Sequence, residues 1–145
     1  MKMLKVIVEA EVKPTEDIEK VKKAILNVFE PSEIKIEDRM GRKFVIAVGV
    51  GANCLLKLHS LLRREQILDA ARKMMKRWSM QDKVIFFLNK QAAFMGHLSF
   101  CLPERESPLG PIRFEISCKN SKEVIDWLAP PTSRGKPLFE REPPK

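Results

Sequence analysis

The sequence predicts an α+β domain: a largely antiparallel sheet with helices packed on one face. Three observations predict it. Stretches of strict apolar and polar alternation lie near both ends of the chain, and helical periodicity occupies the ground between them. Neighbouring strand candidates are joined by short turns rather than by long crossovers, which favours antiparallel pairing.

The first strand runs over residues 4–12, where Leu4, Val6, Val8, Ala10 and Val12 share one face and Lys5, Glu9 and Glu11 take the other. Lys13-Pro14-Thr15 breaks it. Thr15 is a candidate cap for a helix whose first turn carries Glu16 and Asp17 at the positive end of its dipole. Ile18, Val21, Ala24, Ile25, Val28 and Phe29 form that helix's apolar stripe, and Pro31 stops it. Ile34 and Ile36 open a second strand. Arg39-Met40-Gly41-Arg42 reads as a turn into a third, Phe44 to Val50, which is apolar on both faces as a central strand would be.

A long helical region follows, capped by Asn53, running to about Arg77 and breaking near Arg63 to Glu65. In its second half Ile67, Leu68, Ala71, Met74, Met75 and Trp78 share one arc, opposite Glu65, Asp69, Arg72, Lys73, Lys76 and Arg77. Val84 to Leu88 and Leu98 to Cys101 are further strand candidates, joined through 91–96. The Ser107-Pro108-Leu109-Gly110 turn leads into a one-sided strand of Ile112, Phe114, Ile116 and Cys118. A short helix, Ser121 to Leu128, ends against Ala129-Pro130-Pro131. Residues 1–131 thus form one domain, in the order β-α-β-β-α(α)-β-β-β-α. Residues 132–145, proline-rich and poor in apolar side chains, read as a tail without fixed structure.

The net charge of +8 is unevenly spread. Residues 57–90 hold nine basic and three acidic side chains, whereas the rest of the body is nearly balanced. Such a localised excess attracts polyanions through counterion release, or serves as a solvated face that keeps the protein soluble. No apolar run reaches the ~18 residues that cross a membrane, and the start lacks the pattern of a signal peptide, so a cytoplasmic protein without membrane contact is expected. Three widely spaced cysteines suit a reducing compartment.

Catalytic and cofactor chemistry finds little support. Gly49-Val50-Gly51 sits between strand and helix, where a backbone approaches a phosphate, but the third glycine position of a dinucleotide fingerprint is Cys54. The glycines fit a tight turn better. His59, His97 and the cysteines have no metal-ligand spacing. We therefore expect no metal, no cofactor and no catalysis. The basic side chains nominate nucleic acid instead: Arg72, Lys73, Lys76 and Arg77 on the helix face, flanked by Arg63, Arg64, Lys83 and Lys90. The absence of tyrosine and the core-like spacing of phenylalanine argue against base stacking on a strand platform and for recognition of phosphate and shape.

Four segments carry a resemblance: Leu58-His59-Ser60-Leu61-Leu62-Arg63-Arg64-Glu65-Gln66-Ile67-Leu68-Asp69-Ala70-Ala71-Arg72; Phe87-Leu88-Asn89-Lys90-Gln91-Ala92-Ala93-Phe94-Met95-Gly96; Glu106-Ser107-Pro108-Leu109-Gly110-Pro111-Ile112; and Ile125-Asp126-Trp127-Leu128-Ala129-Pro130. Over Leu4 to about Pro131 the chain resembles an uncharacterised archaeal protein family in a broader RNA-binding group whose fold is similar to ribosomal protein L-five. The resemblance implies that fold and RNA as a partner; it brings no catalytic residues. It also marks Asn89, Lys90 and Gln91 as a polar cluster that either positions a phosphate or base edge or caps its own backbone. The competing expectation is a module for protein interaction or homodimerisation, using a strand edge or the Met74, Met75, Trp78 stripe. A nucleotide-dependent enzyme built at the Gly49 to Asn53 turn is the third.

Overall fold

The computed structural model describes residues 3–103 and 109–145. Five strands form one sheet: β1 (Lys5–Val12), β2 (Glu33–Arg39), β3 (Arg42–Val50), β4 (Lys83–Asn89) and β5 (Pro111–Ser117). The helices are α1 (Ile18–Val28), α2 (Leu56–Arg64), α3 (Leu68–Trp78), α4 (Lys90–Phe94) and α5 (Ser121–Leu128), with a 3-10 turn, Ala52–Leu55, leading into α2. Strand order is β2-β3-β1-β5-β4, and every neighbouring pair is antiparallel. The α+β class with an antiparallel sheet is therefore realised.

Alternation explains the layering. Val8 lies opposite Ala47 on one side and Phe114 on the other, so one sheet face becomes a continuous apolar floor. On it sit Val21, Ala24, Ile25 and Val28 of α1, Leu58, Leu61 and Leu62 of α2, and Val124 to Leu128 of α5. Phe114 anchors the floor, stacked on Phe86 at 4.8 Å and meeting Phe29 edge-on at 5.7 Å. Each such fully buried side chain contributes ~1.5–3 kcal/mol. A smaller cluster, Ile85, Phe87 and Cys101 with Trp78 against them, covers the far face of β4.

Three local details differ from expectation, each for a physical reason, and a fourth lies partly outside the described residues. The cap of α1 is Asp17 rather than Thr15, because the Asp17 carboxylate reaches the Glu19 N–H at 2.9 Å. The long helical region divides at 65–67, where Gln66 takes a left-handed φ of 57°, rather than at 63–65. Leu98 to Cys101 is not a full strand: Phe100 bridges Leu88, Asn89 donates to the Ser99 carbonyl and Cys101 donates to that of Phe87. The turn before β5 is described from Leu109 onward, with Gly110 at φ 82°; Ser107 and Pro108 lie outside the described residues.

Residues 132–145 are not a structureless tail. A two-stranded hairpin, β6 (Thr132–Ser133) and β7 (Lys136–Pro137), carries them back over the helices. The Thr132 hydroxyl donates to Asp69, Glu140 holds Arg63 at 2.7 Å, and Pro144 is buried. Polar anchors do here what apolar content does elsewhere.

Candidate nucleic-acid interface

The nominated cations divide into those turned inward and those left in solvent. Arg63 of α2 and Arg72 of α3 converge on the end of α5, whose last carbonyls have no partner within the helix. Arg63 donates to the carbonyls of Trp127 (3.1 Å) and Leu128 (2.9 Å), to that of His59, and to the Glu140 carboxylate. Arg72 donates to the Ala129 carbonyl at 3.0 Å and pairs with the buried Asp126 at 2.8 Å. Two guanidinium groups thus cap one helix terminus, where positive charge is favoured. Arg63 spends all five donors within the chain, and Arg72 spends its Nη1 on Asp126 and Ala129.

Lys90 is likewise interior, at 3% exposure. Its ammonium donates three hydrogen bonds, to the carbonyls of Glu11 and Leu109 at 2.7 Å each and to Glu16 Oε1 at 2.9 Å. An ammonium has three donors, so none remains for a ligand. Burial pushes this group below the usual lysine range, and the Glu16 carboxylate opposes the shift. Asn89 caps α4, accepting the Ala92 N–H at 2.9 Å. Gln91 is exposed and lines a cavity of about 360 Å³ between α1 and α4, whose wall includes Val21, Ala24, Phe94 and Met95. In the Asn89-Lys90-Gln91 cluster, then, two of three side chains serve the backbone.

The outer set is Arg64, Lys73, Lys76, Arg77 and Lys83. Lys73, Lys76 and Arg77 are exposed and form no salt bridge among the described residues; Arg77 lies over the Trp78 ring at 5.5 Å. Arg64 reaches the Gly96 carbonyl at 3.4 Å, and Lys83 stands 3.9 Å from Glu115. Strand pairing adds cations that segment counting left elsewhere. Ser117 pairs with Lys5 on one side and Lys83 on the other, and Ser121 N–H binds the Gln81 carbonyl at 2.8 Å. Exposed Lys119 and Lys122 therefore join Lys76, Arg77, Lys83 and Lys5 at one end of the sheet. Only the register of β1, β4 and β5 reveals this grouping.

The Gly49 to Asn53 turn is filled rather than open. A Cβ on Gly49 would meet Cys54 Cβ at 2.6 Å and the Phe29 ring at 3.0 Å, while Cys54 Sγ donates to the Gly51 carbonyl at 3.1 Å. Burial raises the Cys54 thiol to about 11, away from thiolate chemistry. His59 stacks on Trp127 at 5.0 Å, and burial lowers its pKa from the usual histidine range. No group of three His, Cys, Asp or Glu side chains with metal-holding geometry occurs among the described residues. No described helix is long and apolar enough to cross a membrane.

Comparison with known proteins fits this picture. A family model described as RNA binding matches residues 5–118. The UPF0201 protein of Aeropyrum pernix is 48% identical over 143 residues, covering 98% of this chain and 95% of that protein. The UPF0201 protein of Sulfolobus acidocaldarius is 48% identical over 142 residues, covering 98% of each. The crystal structure of the UPF0201 protein from Methanococcus jannaschii superposes with a TM-score of 0.83 at 33% identity, over 93% of this chain and 99% of that one. With the fold and nearly the full length shared, the chain belongs to the archaeal UPF0201 family, within the group whose model is described as RNA binding.

Proposed function

We propose that this protein binds structured RNA without catalysis, in the cytosol, by laying phosphates along the outer face of α3 and the adjoining end of the sheet. One observation carries the reading. Lys73, Lys76 and Arg77 stand exposed on successive turns of one helix face without carboxylate partners among the described residues. Side chains three and four positions apart are neighbours on a helix, so the three present a compact cationic row. Lys83, Lys5 and Lys119 extend it, whereas Arg64 reaches toward Gly96 beside Asn27 and Lys57.

Arg63, Arg72, Asn89 and Lys90 have no direct part in this reading: Arg63 and Lys90 spend every donor within the chain, Arg72 is held by Asp126 and Ala129, and Asn89 caps α4. RNA titrated by fluorescence anisotropy over a salt series is the test. Affinity falls as salt rises, and the Lys73→Glu/Lys76→Glu/Arg77→Glu chain shows a log–log slope shallower by about two, at roughly 0.7–0.9 per lost phosphate contact. An unchanged slope, with the variant folded, rejects the α3 face.

A further inference from the structure

The two edges of the sheet are treated differently by the fold. Beyond β4 lies the 98–101 segment, which takes up the Asn89 N–H and the Phe87 carbonyl and bridges Leu88. Beyond β2 the described residues supply nothing. The hairpin fixes which β2 groups face outward. Met40 and Gly41 both have positive φ, 53° and 83°, forming a two-residue turn closed by the Arg39–Arg42 pair. Arg39, Glu37, Lys35 and Glu33 therefore spend their N–H and C=O groups on β3. Ile34, Ile36 and Asp38 direct theirs away from the sheet, where no described group receives them.

Edge strands are usually blunted by proline, by brevity or by repelling charge. β2 is seven residues long, has no proline and leaves Ile36 42% exposed beside the helix layer. Its odd-numbered charges are also antisymmetric about Ile36: Lys35 mirrors Glu37 and Glu33 mirrors Arg39, each with the opposite sign. We propose that β2 pairs antiparallel with β2 of a second copy about a twofold axis at Ile36, joining two five-stranded sheets into one. Glu33 then faces the partner's Arg39, Lys35 faces the partner's Glu37, and Ile36 packs on the partner's Ile36. Ile34, Ile36 and Asp38 lie at hydrogen-bonded positions of this register, as their outward groups require. Moving the axis by one residue toward Lys35 opposes Lys35 to itself and Glu33 to Glu37. Moving it toward Glu37 opposes Glu37 to itself and Lys35 to Arg39. Like charges directly opposite are destabilising, so charge disfavours both adjacent registers, whereas the Ile36 axis brings four complementary pairs together.

Light scattering and native mass spectrometry on the full chain test this. The wild-type protein is a dimer. The Lys35→Glu chain and the Glu37→Lys chain each dissociate about tenfold more readily, since each turns two opposed pairs into like-charge contacts. Mixed together, the two variants form a heterodimer, because every opposed pair is complementary again. Lys35→Glu is the cleaner arm, as Lys35 has no salt bridge among the described residues. Hydrogen exchange gives an independent readout: the Ile34, Ile36 and Asp38 amides gain protection as protein concentration rises, while those of Lys35 and Glu37 stay protected throughout. Ile36→Pro removes an outward N–H without touching the β3 ladder and should also yield monomers. A wild-type chain that stays monomeric at the highest attainable concentration overturns the proposal. So does a dimer unaffected by Ile36→Pro, or a mixture of the charge variants that stays monomeric.

Discussion

Replacing Lys90 by methionine separates a structural lysine from a ligand-binding one. Methionine keeps most of the apolar stem but removes all three donors. The Glu16 carboxylate, 11% exposed, loses its ion-pair partner, and two carbonyls lose theirs. Breaking a buried pair from one side costs about 3–5 kcal/mol, because the remaining charge stays desolvated. Each carbonyl deprived of the ammonium adds up to ~1–3 kcal/mol unless water reaches it, and retained stem packing offsets part of this. We expect a net loss of about 4 kcal/mol, a large share of a typical 5–15 kcal/mol stability. Urea denaturation followed by circular dichroism measures it. With a slope of roughly 2 kcal/mol per molar, the midpoint falls by about 2 M. Glu16→Gln in the same chain recovers part of the loss by removing the stranded charge. In cold, low-denaturant buffer the folded variant keeps its RNA affinity and salt slope. A midpoint shift under about 0.5 M refutes the tether. A folded variant that loses RNA binding refutes the claim that its donors are fully committed.

Arg72→Ala removes the cap from α5 and strands Asp126, lowering stability by about 3 kcal/mol while leaving the RNA salt slope unchanged; calorimetry and anisotropy on one sample check both. Glu11 is held down to about 2 by the hydrogen bonds of Arg42, so the folded state favours its ionised form. Its contribution is present above the usual carboxylate range and is lost as pH falls from about 4.5 toward 2; acid titrations of wild type and Glu11→Gln should therefore converge at the acidic end. Gly49→Ala drives a methyl into Cys54 and Phe29 and costs about 1–3 kcal/mol, whereas Gly49→Ala/Cys54→Ala, which opens space for it, recovers part of that in thermal melts.

Period-two and period-3.6 patterns made most of the framework legible. Val6, Val8 and Ala10, or Ile112, Phe114 and Ile116, announce their face because each strand buries one side only. The 98–101 stretch has the composition of a strand, yet its backbone finds only partial pairing along the β4 edge, a matter of tertiary space. The basic face was legible as charge but not as availability. Arg72 looks equivalent to Lys73 and Lys76 on a helical projection, and what distinguishes it is the Ala129 carbonyl and Asp126, more than fifty residues away. Lys90 is set apart in the same way by Glu11, Glu16 and Leu109. Segment counts register neither a carbonyl acceptor nor a strand register, so they group Arg72 and Lys90 with the solvent-facing cations and do not bring Lys5 or Lys119 beside Lys83. Proline content misled similarly at the C-terminal end, where order comes from a few polar anchors.

The central position of β1 has a consequence for how the chain assembles. Its two neighbours are β3, some forty residues downstream, and β5, more than a hundred downstream, and β5 must settle between β1 and β4. During synthesis the β2–β3 hairpin and its pairing with β1 can form early, but the other flank of the first strand stays open until nearly the whole chain has left the ribosome. Such long-range closure slows folding and prolongs exposure of a bare apolar strand. Refolding should accordingly show rapid protection of Val45 and Ala47 amides, with Phe114 acquired in the last kinetic phase.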